Sequence, residues 1–295
     1  MNSHYFSSCP LCASPVISDN IAFPYQTLWD GELWKYIKCS NCETVHISPV
    51  PSNKQIEKMY SGDKYHDIFY LKEELYNYTM PSEVSALIPN GDMLDFGCGY
   101  GDFISVASKN GYQCFGVEYN KSVCEYTSKK TRCIVNDLSW FLASDIRFDV
   151  IHIGDVLEHL PNPKQTLQSL QVLLKPDGIF FIEGPLERNT SWVLFFSILN
   201  GYIKYKFFDR QLENKYPPFH LWQSNRHATR DFFIKHTGLK ELHFSISETA
   251  WPYIDPSHSL TLQTAVKFVI GSTAIIVSKI IPIFGNRFLG IYKLC

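Results

Sequence analysis

Residues 93–103 read Met-Leu-Asp-Phe-Gly-Cys-Gly-Tyr-Gly-Asp-Phe, and the glycines at alternate positions, Gly97, Gly99 and Gly101, leave few ways to fold this stretch. Met93 to Phe96 are apolar apart from Asp95, which suits a short buried parallel strand. Asp102 to Lys109 can continue as a helix. A strand entering a helix through such a turn brings bare backbone N–H groups and the positive end of a helix dipole to one point. No Cβ stands in the way, so a ligand can lie directly against the backbone.

Apolar runs and turn residues beyond Pro89 place strands at about 92–96, 113–118, 132–135, 148–153 and 178–183, with helices between them. This alternation predicts an α/β domain with a mostly parallel sheet covered on both faces. In such sheets ligands bind outside the carboxyl ends of the strands, where the strand order reverses. Four acids fall at such ends: Asp95, Glu118, Asp137 and Asp155. Glu118 closes the run Gln113–Val117, where it could hold a ribose diol. The spacing G-x-G-x-G departs from the dinucleotide pattern G-x-G-x-x-G and disfavours a nicotinamide-dependent oxidoreductase. Asp137 also reads as an N-cap for a helix over Leu138–Ala143. His152, inside the fourth strand, reads as a satisfied core histidine.

The fourth strand runs into Gly154-Asp155-Val156-Leu157-Glu158-His159-Leu160-Pro161-Asn162-Pro163. With the glycine turn and Glu118, this segment closely resembles the class I S-adenosylmethionine-dependent methyltransferases. More narrowly, the chain looks like bacterial members with an N-terminal cysteine ribbon, often tied to modification of cell-surface sugars or small metabolites. The resemblance spans nearly the whole chain and is weakest over Asn189–Tyr216. It implies a Rossmann-like fold with a seven-stranded, mostly parallel sheet whose last strand, Phe288–Leu294, is antiparallel. It also implies roles for particular residues. Asp95 with Gly97, Cys98, Gly99 and Gly101 orients the methionine end of the cofactor. Glu118 accepts from the ribose hydroxyls and Tyr119 stacks on the adenine. Asp137 meets the adenine amino group, and Leu138 pads the ring. Gly154 and Asp155 line the sulfonium end.

In that family Glu158 and His159 project where a methyl acceptor arrives, and His159 is the expected base because its ordinary pKa lies nearest neutrality. Two alternatives stay open. The pair braces the following helix, or, as in quinone-pathway O-methyltransferases, it joins Asp155 around a divalent metal. Pro217–Ser224 resembles the family segment H-L-x-x-F-S and supplies His220 as a second catalytic candidate, although Gln223 stands where the family carries an aromatic. Helices over Gln55–Tyr60 and Ile68–Tyr78 correspond to a lid over the cofactor, with Tyr60 and Tyr65 at family tyrosine positions. Those tyrosines read equally well as packing residues.

Cys9-Pro10-Leu11-Cys12 and Cys39-Ser40-Asn41-Cys42 are paired knuckles of the kind that grip zinc with four thiolates. Phe23, Tyr25, Trp29 and Trp34 between them can pack a short hairpin around a structural zinc ion. So small a unit has little core, and metal binding would supply its folding energy. The expected organisation is a zinc ribbon over 1–50, a helical lid and linker over 51–90, and a cofactor-binding domain over 91–295 with a cap insertion at about 186–225. The formal charge of −2 on 295 residues offers no broad basic field, so nucleic acid is not expected as a partner. A polar start without an apolar run before Cys9, and thiols read as reduced, point to a cytoplasmic protein.

Two segments carry partner surfaces. Asn189–Tyr216 is strongly aromatic with Lys204, Lys206 and Arg210 interleaved, which suits a cap over a lipid-linked or ring-shaped acceptor, a homodimer contact, or helix packing alone. Thr264–Phe284 is rich in Val, Ile and Ala, but Lys267 and Lys279 interrupt it and leave an uncharged run too short to span a bilayer. A buried or partner-facing helix is expected there, with a peripheral membrane contact as the alternative. The function expected from all this is methyl transfer to a small-molecule or sugar acceptor, most readily at a hydroxyl. The competing reading is a non-catalytic scaffold that keeps the zinc and cofactor sites.

Overall fold

The computed structural model describes residues 7–16, 20–60, 79–208, 217–250, 253–254 and 261–295. Chain order begins with strands β1 (Ile21–Trp29), β2 (Glu32–Lys38) and β3 (Val45–Ser48), then the helix Asn53–Tyr60. Strands β4 (Gly91–Phe96), β5 (Tyr112–Val117), β6 (Ile134–Asn136), β7 (Phe148–Gly154) and β8 (Leu174–Pro185) follow. Helices Asp102–Lys109, Lys121–Thr131, Leu138–Leu142 and Pro163–Gln171 connect them. The chain closes with the helix Trp192–Ile203, β9 (Trp222–Gln223), the helix Arg226–Asp231, β10 (Leu239–Ser247), the helix Leu262–Ile280 and β11 (Arg287–Leu294).

Seven strands form one mixed sheet in the order β10-β11-β8-β7-β4-β5-β6, mostly parallel with the last strand antiparallel. The Rossmann-like expectation is met in this order. β4 pairs in parallel with β5 on one side and β7 on the other, so the strand order reverses about β4. Met93, Leu94, Val150, Ile151, Phe180 and Phe181 are almost wholly buried, as continuous apolar runs in a doubly covered sheet require.

Local differences from the sequence reading have simple causes. β6 begins at Ile134 because Arg132 takes a left-handed conformation (φ 61°) to end the preceding helix. The strand expected at about 178–183 begins earlier, since β8 takes in Lys175–Gly178 and the helix before it stops at Gln171. The pairing of β7 with β8 jumps from Phe148↔Leu174 to Val150↔Ile179, so residues 175–178 bulge out of register. Pro176 has no N–H to give to the ladder, which favours such a bulge. The helix expected over Thr264–Phe284 occupies Leu262–Ile280, and by length and composition it is able to cross a membrane despite its two lysines. Tyr65 and the second lid helix lie outside the described residues, as do residues 209–216 of the aromatic segment.

The chain folds as two compact units. The first comprises 1–50, 184–236 and 244–289, and the second 51–183, 237–243 and 290–295. Within the first, β1, β2, β3 and β9 make an antiparallel four-stranded sheet. Asp30 and Gly31, both at positive φ (55° and 75°), turn β1 into β2. Trp34 is fully buried and packs beside Trp29 at a ring separation of 6.4 Å, which is the aromatic core expected of the ribbon hairpin. β9 pairs with β3 through Val45↔Gln223 and His46↔Trp222, and the Asn225 side chain donates to the Cys42 carbonyl over 3.1 Å. The cap expected at about 186–225 lies in the same compact unit as 1–50.

Candidate functional site

The glycine turn stands at the carboxyl end of β4, where the sheet order reverses. Gly97, Gly99 and Gly101 all adopt positive φ (81°, 47° and 76°), a conformation that costs other residues strain. The turn packs against the protein itself. A Cβ on Gly97 would come within 2.4 Å of Val156, and one on Gly101 within 2.7 Å of Thr127.

The amides of the turn are not bare. Gly97 N and Cys98 N both donate to the Val117 carbonyl (2.8 and 2.9 Å), Gly101 N donates to Cys98 O (2.9 Å), and Gly99 N donates to Glu118 Oε2 (3.1 Å). Thr127 Oγ1 donates to the Gly99 carbonyl over 2.6 Å. The sequence reading took the turn as an open amide nest. The structure closes it onto the end of β5, because the β5 backbone and the Glu118 carboxylate come within reach of those donors.

Glu118 is half-buried and pinned from both sides, since its Oε1 accepts from Asn120 N over 2.9 Å. Each carboxylate oxygen retains a further lone pair, so the group can still accept from a hydroxyl pair. Tyr119 beside it is 66% exposed and free to cover a flat ring. Cys98 is buried, and Gly116 on β5 makes room for it, since a Cβ there would lie 2.6 Å from the Cys98 sulfur. Burial, helped by the charges of Asp95 and Glu118, pushes the Cys98 thiol well above its ordinary pKa, so it packs as a neutral group.

Asp137 is the N-cap of the helix Leu138–Leu142, accepting from Trp140 N over 2.9 Å, as the alternative sequence reading had it. The bonds from Ser139 and Trp140 hold its pKa below the ordinary value. The carboxylate is exposed, and Leu138 beside it is half-buried. Gly154 ends β7, and a Cβ on it would lie 2.7 Å from the His152 ring. Asp155 follows in a left-handed conformation (φ 52°) with its N–H on Glu183 O (3.1 Å), so its exposed carboxylate leaves the sheet at the carboxyl end of β7. Glu158 and His159 sit on the single helical turn Leu157–His159, with Glu158 buried and His159 half-buried. The His159 ring meets Tyr60 edge to face at 5.8 Å. In the first unit, the second catalytic candidate, His220, places Nδ1 2.8 Å from Glu187 Oε2.

Asp95 does not face outward. Its Oδ1 lies 2.7 Å from His152 Nδ1, and both groups are buried. His152 Nε2 stands 3.6 Å from Glu183 Oε1, beyond hydrogen-bond reach but close enough to feel its charge. The ring stacks on Phe103 with centroids 3.6 Å apart. Burial is the largest influence on His152 and disfavours its charge, but the Asp95 bond and the two carboxylates together outweigh it and push the pKa up to about 9. His152 is thus the buried core histidine expected from its place in the strand, paired with Asp95 and biased toward its protonated form. His152 and Glu183 were missed as members of this cluster, yet a signal existed: Asp95 and His152 each precede a strand-ending glycine by two residues and face each other in register.

In the first unit the four knuckle cysteines lie within 4.8 Å of one another. The Cys9–Cys42 and Cys12–Cys39 sulfurs are 3.6 and 3.7 Å apart. Four thiolates about 2.3 Å from a tetrahedral zinc ion stand roughly 3.8 Å apart, so the spacing fits that ion. The two knuckles share one local geometry. Ala13 N donates to Cys9 O and Glu43 N to Cys39 O, each over 3.0 Å, and Ala13 and Glu43 both take positive φ (58° and 63°). A hydrogen bond from Cys9, with help from Thr44, holds the Cys42 thiol below its ordinary pKa.

A family profile described as a methyltransferase domain matches residues 66–242. The ubiquinone biosynthesis O-methyltransferase of Histophilus somni (strain 2336) is 28% identical over 114 residues, which cover 35% of this chain and 48% of that protein. The protein of the same name from Haemophilus ducreyi is 31% identical over 104 residues, covering 30% of this chain and 43% of that one. The chain thus spans about half the length of the curated relatives it matches. Among solved structures, a SAM-dependent methyltransferase from Archaeoglobus fulgidus is 19% identical with a TM-score of 0.45, covering 72% of this chain and 89% of that chain.

Proposed function

The chain belongs to the methyltransferase-domain family, and from that membership we propose that it transfers a methyl group from S-adenosylmethionine to a hydroxyl of a small-molecule or saccharide acceptor. One observation carries the reading. The loops that follow β4, β5 and β7 converge, with Gly99 bonded to Glu118 and Gly97 packed against Val156, and they bring a fixed carboxylate and the exposed Asp155 to the carboxyl edge where the strand order reverses. The hydroxyl preference draws on the names of the matched relatives, which are O-methyltransferases.

The residues present fit the cofactor. Glu118 has lone pairs left for both ribose hydroxyls, Tyr119 offers an open aromatic face for the adenine, and Asp137 with Leu138 edges the same side of the sheet. The bound sulfonium supplies an already activated methyl carbon. The protein's task is then to orient two reactants and accept a proton. With the cofactor bound, its sulfonium would supply the methyl group to the acceptor oxygen, and His159 would take the hydroxyl proton. Cys9, Cys12, Cys39 and Cys42 hold a structural zinc ion in this reading, and that ion takes no part in the transfer.

Calorimetric titration with S-adenosylmethionine and S-adenosylhomocysteine tests the proposal. Binding of both by the full chain, and its loss in Glu118→Ala with the circular dichroism spectrum unchanged, is the expected result. Absence of heat with either ligand in the folded, zinc-loaded protein overturns it.

A further inference from the structure

Two helices of the first unit, Trp192–Ile203 and Leu262–Ile280, turn apolar stripes outward. On the first, Trp192, Phe195, Phe196, Leu199, Tyr202 and Ile203 recur at helical spacing and all are exposed. On the second, Leu262, Val266, Val269, Ile276 and Ile280 form a similar stripe and are also exposed. A groove of about 680 Å3 lies between the helices, lined by Trp192, Phe195, Phe196, Val269, Ile270 and Thr273. Soluble monomers rarely leave so long an apolar patch in water, so this face has an occupant.

Charge identifies the occupant. Residues 188–208 and 261–286 contain no aspartate or glutamate, but they carry Lys204, Lys206, Lys267 and Lys279. The lysines lie along aromatic surface: the Lys206 ammonium sits 5.5 Å from the Tyr202 ring and 5.8 Å from Phe207, and that of Lys267 sits 5.8 Å from Tyr253. Apolar stems on aromatics with ammonium heads at the rim suit a boundary between hydrocarbon and anionic headgroups. A wholly apolar partner helix would leave those charges unanswered. We propose that this two-helix face seats the protein on the surface of an anionic lipid bilayer.

The helix Leu262–Ile280 lies on the membrane in this proposal and does not cross it. Its middle packs against non-helical chain, since a Cβ on Gly271 would meet the Ala250 side chain at 3.1 Å. Ala250 N and Ser191 Oγ both bond to the carboxylate of the buried Glu248. Irregular backbone and a carboxylate at mid-helix depth are not tolerated in lipid-facing hydrocarbon. The buried face of the helix, Gly271 and Ala274, stays on the protein, and the stripe around Val269 and Ile276 meets the lipid.

Vesicle flotation of the full chain tests this. It needs neither cofactor nor acceptor, so its outcome is separate from the methyl-transfer reading. The protein is expected to float with vesicles of phosphatidylcholine mixed with phosphatidylglycerol, and at least about tenfold less with phosphatidylcholine alone, given four lysines near the surface. Lys204→Glu with Lys206→Glu should remove the preference for anionic vesicles, and salt should weaken it in the wild type. Phe195→Ser with Val269→Ser should reduce flotation on both compositions while leaving the circular dichroism spectrum unchanged. Failure of the folded wild type to float with anionic vesicles overturns the proposal. So does a dimer in light scattering that the Phe195→Ser, Val269→Ser pair dissolves, because the face would then be covered by a second copy of the chain.

Discussion

Gly99 and Glu118 are joined by a hydrogen bond of 3.1 Å from the glycine N–H to the glutamate Oε2, so the turn that ends β4 fixes the acid that ends β5. The bond couples two features that sequence reasoning treated as separate ligand contacts. A carboxylate held by Gly99 N and Asn120 N needs little further ordering when a diol arrives, and lost side-chain entropy is a large part of what binding costs.

Glu118→Ala is therefore expected to weaken S-adenosylmethionine binding by about a hundredfold or more, since two hydrogen bonds to a charged group are lost together. Glu118→Gln keeps one acceptor oxygen and should fall between the two. Titration calorimetry distinguishes the three proteins. Equal affinity for Ala and wild type would remove Glu118 from the ribose contact.

His152 predicts a pH dependence of stability. Its folded pKa, about 9, stands above the ordinary value of 6.5, so the folded state binds the proton more tightly than the unfolded chain. The resulting stabilisation is complete below pH 6.5 and disappears as pH rises through about 9, with an amplitude of roughly 3 kcal/mol. Urea denaturation at pH 6 and pH 9.5 should show that loss in the wild type and a flatter profile in His152→Asn. Parallel profiles for the two proteins would mean that Asp95 and Glu183 do not hold a charged imidazole.

Much of the sheet was legible because glycine punctuates it. Each of β4 and β7 carries an acid or histidine two residues before a glycine near its carboxyl end, and apolar runs mark the strands between. Boundaries failed where a single backbone conformation decided them, as at Arg132 before β6, or where one strand absorbed a proline bulge, as at Pro176. The pairing of β3 with β9 was not legible. It joins Val45 to Gln223, far apart in the chain, through a strand of two residues that is too short to show any period. The orientation of Asp95 was also hidden, since a strand pattern shows that a side chain alternates but not which partner receives it.

The knuckles predict one zinc ion per chain, measurable by native mass spectrometry. Cys39→Ser is expected to abolish zinc retention and lower the melting temperature, because metal binding to the knuckles contributes folding energy to the unit that holds them. A strong chelator should produce the same shift in the wild type and none in the variant. Full zinc content in Cys39→Ser would show that the four sulfurs do not act as one site.

His159 is the expected proton acceptor, and its variant separates binding from turnover. The side chain is half-buried against Tyr60 and lies on the turn that leaves β7, whereas Glu118 follows β5, so cofactor binding is expected to survive its loss. His159→Ala should bind S-adenosylmethionine as the wild type does and slow methyl transfer to a hydroxyl acceptor by a factor of about 100 to 10000, the range for loss of a positioned base. His159→Gln keeps a similar shape without a titrating group and should be just as slow, whereas a variant that only lost a helix brace would recover. If His159→Ala keeps the full rate, His159 is not the proton acceptor.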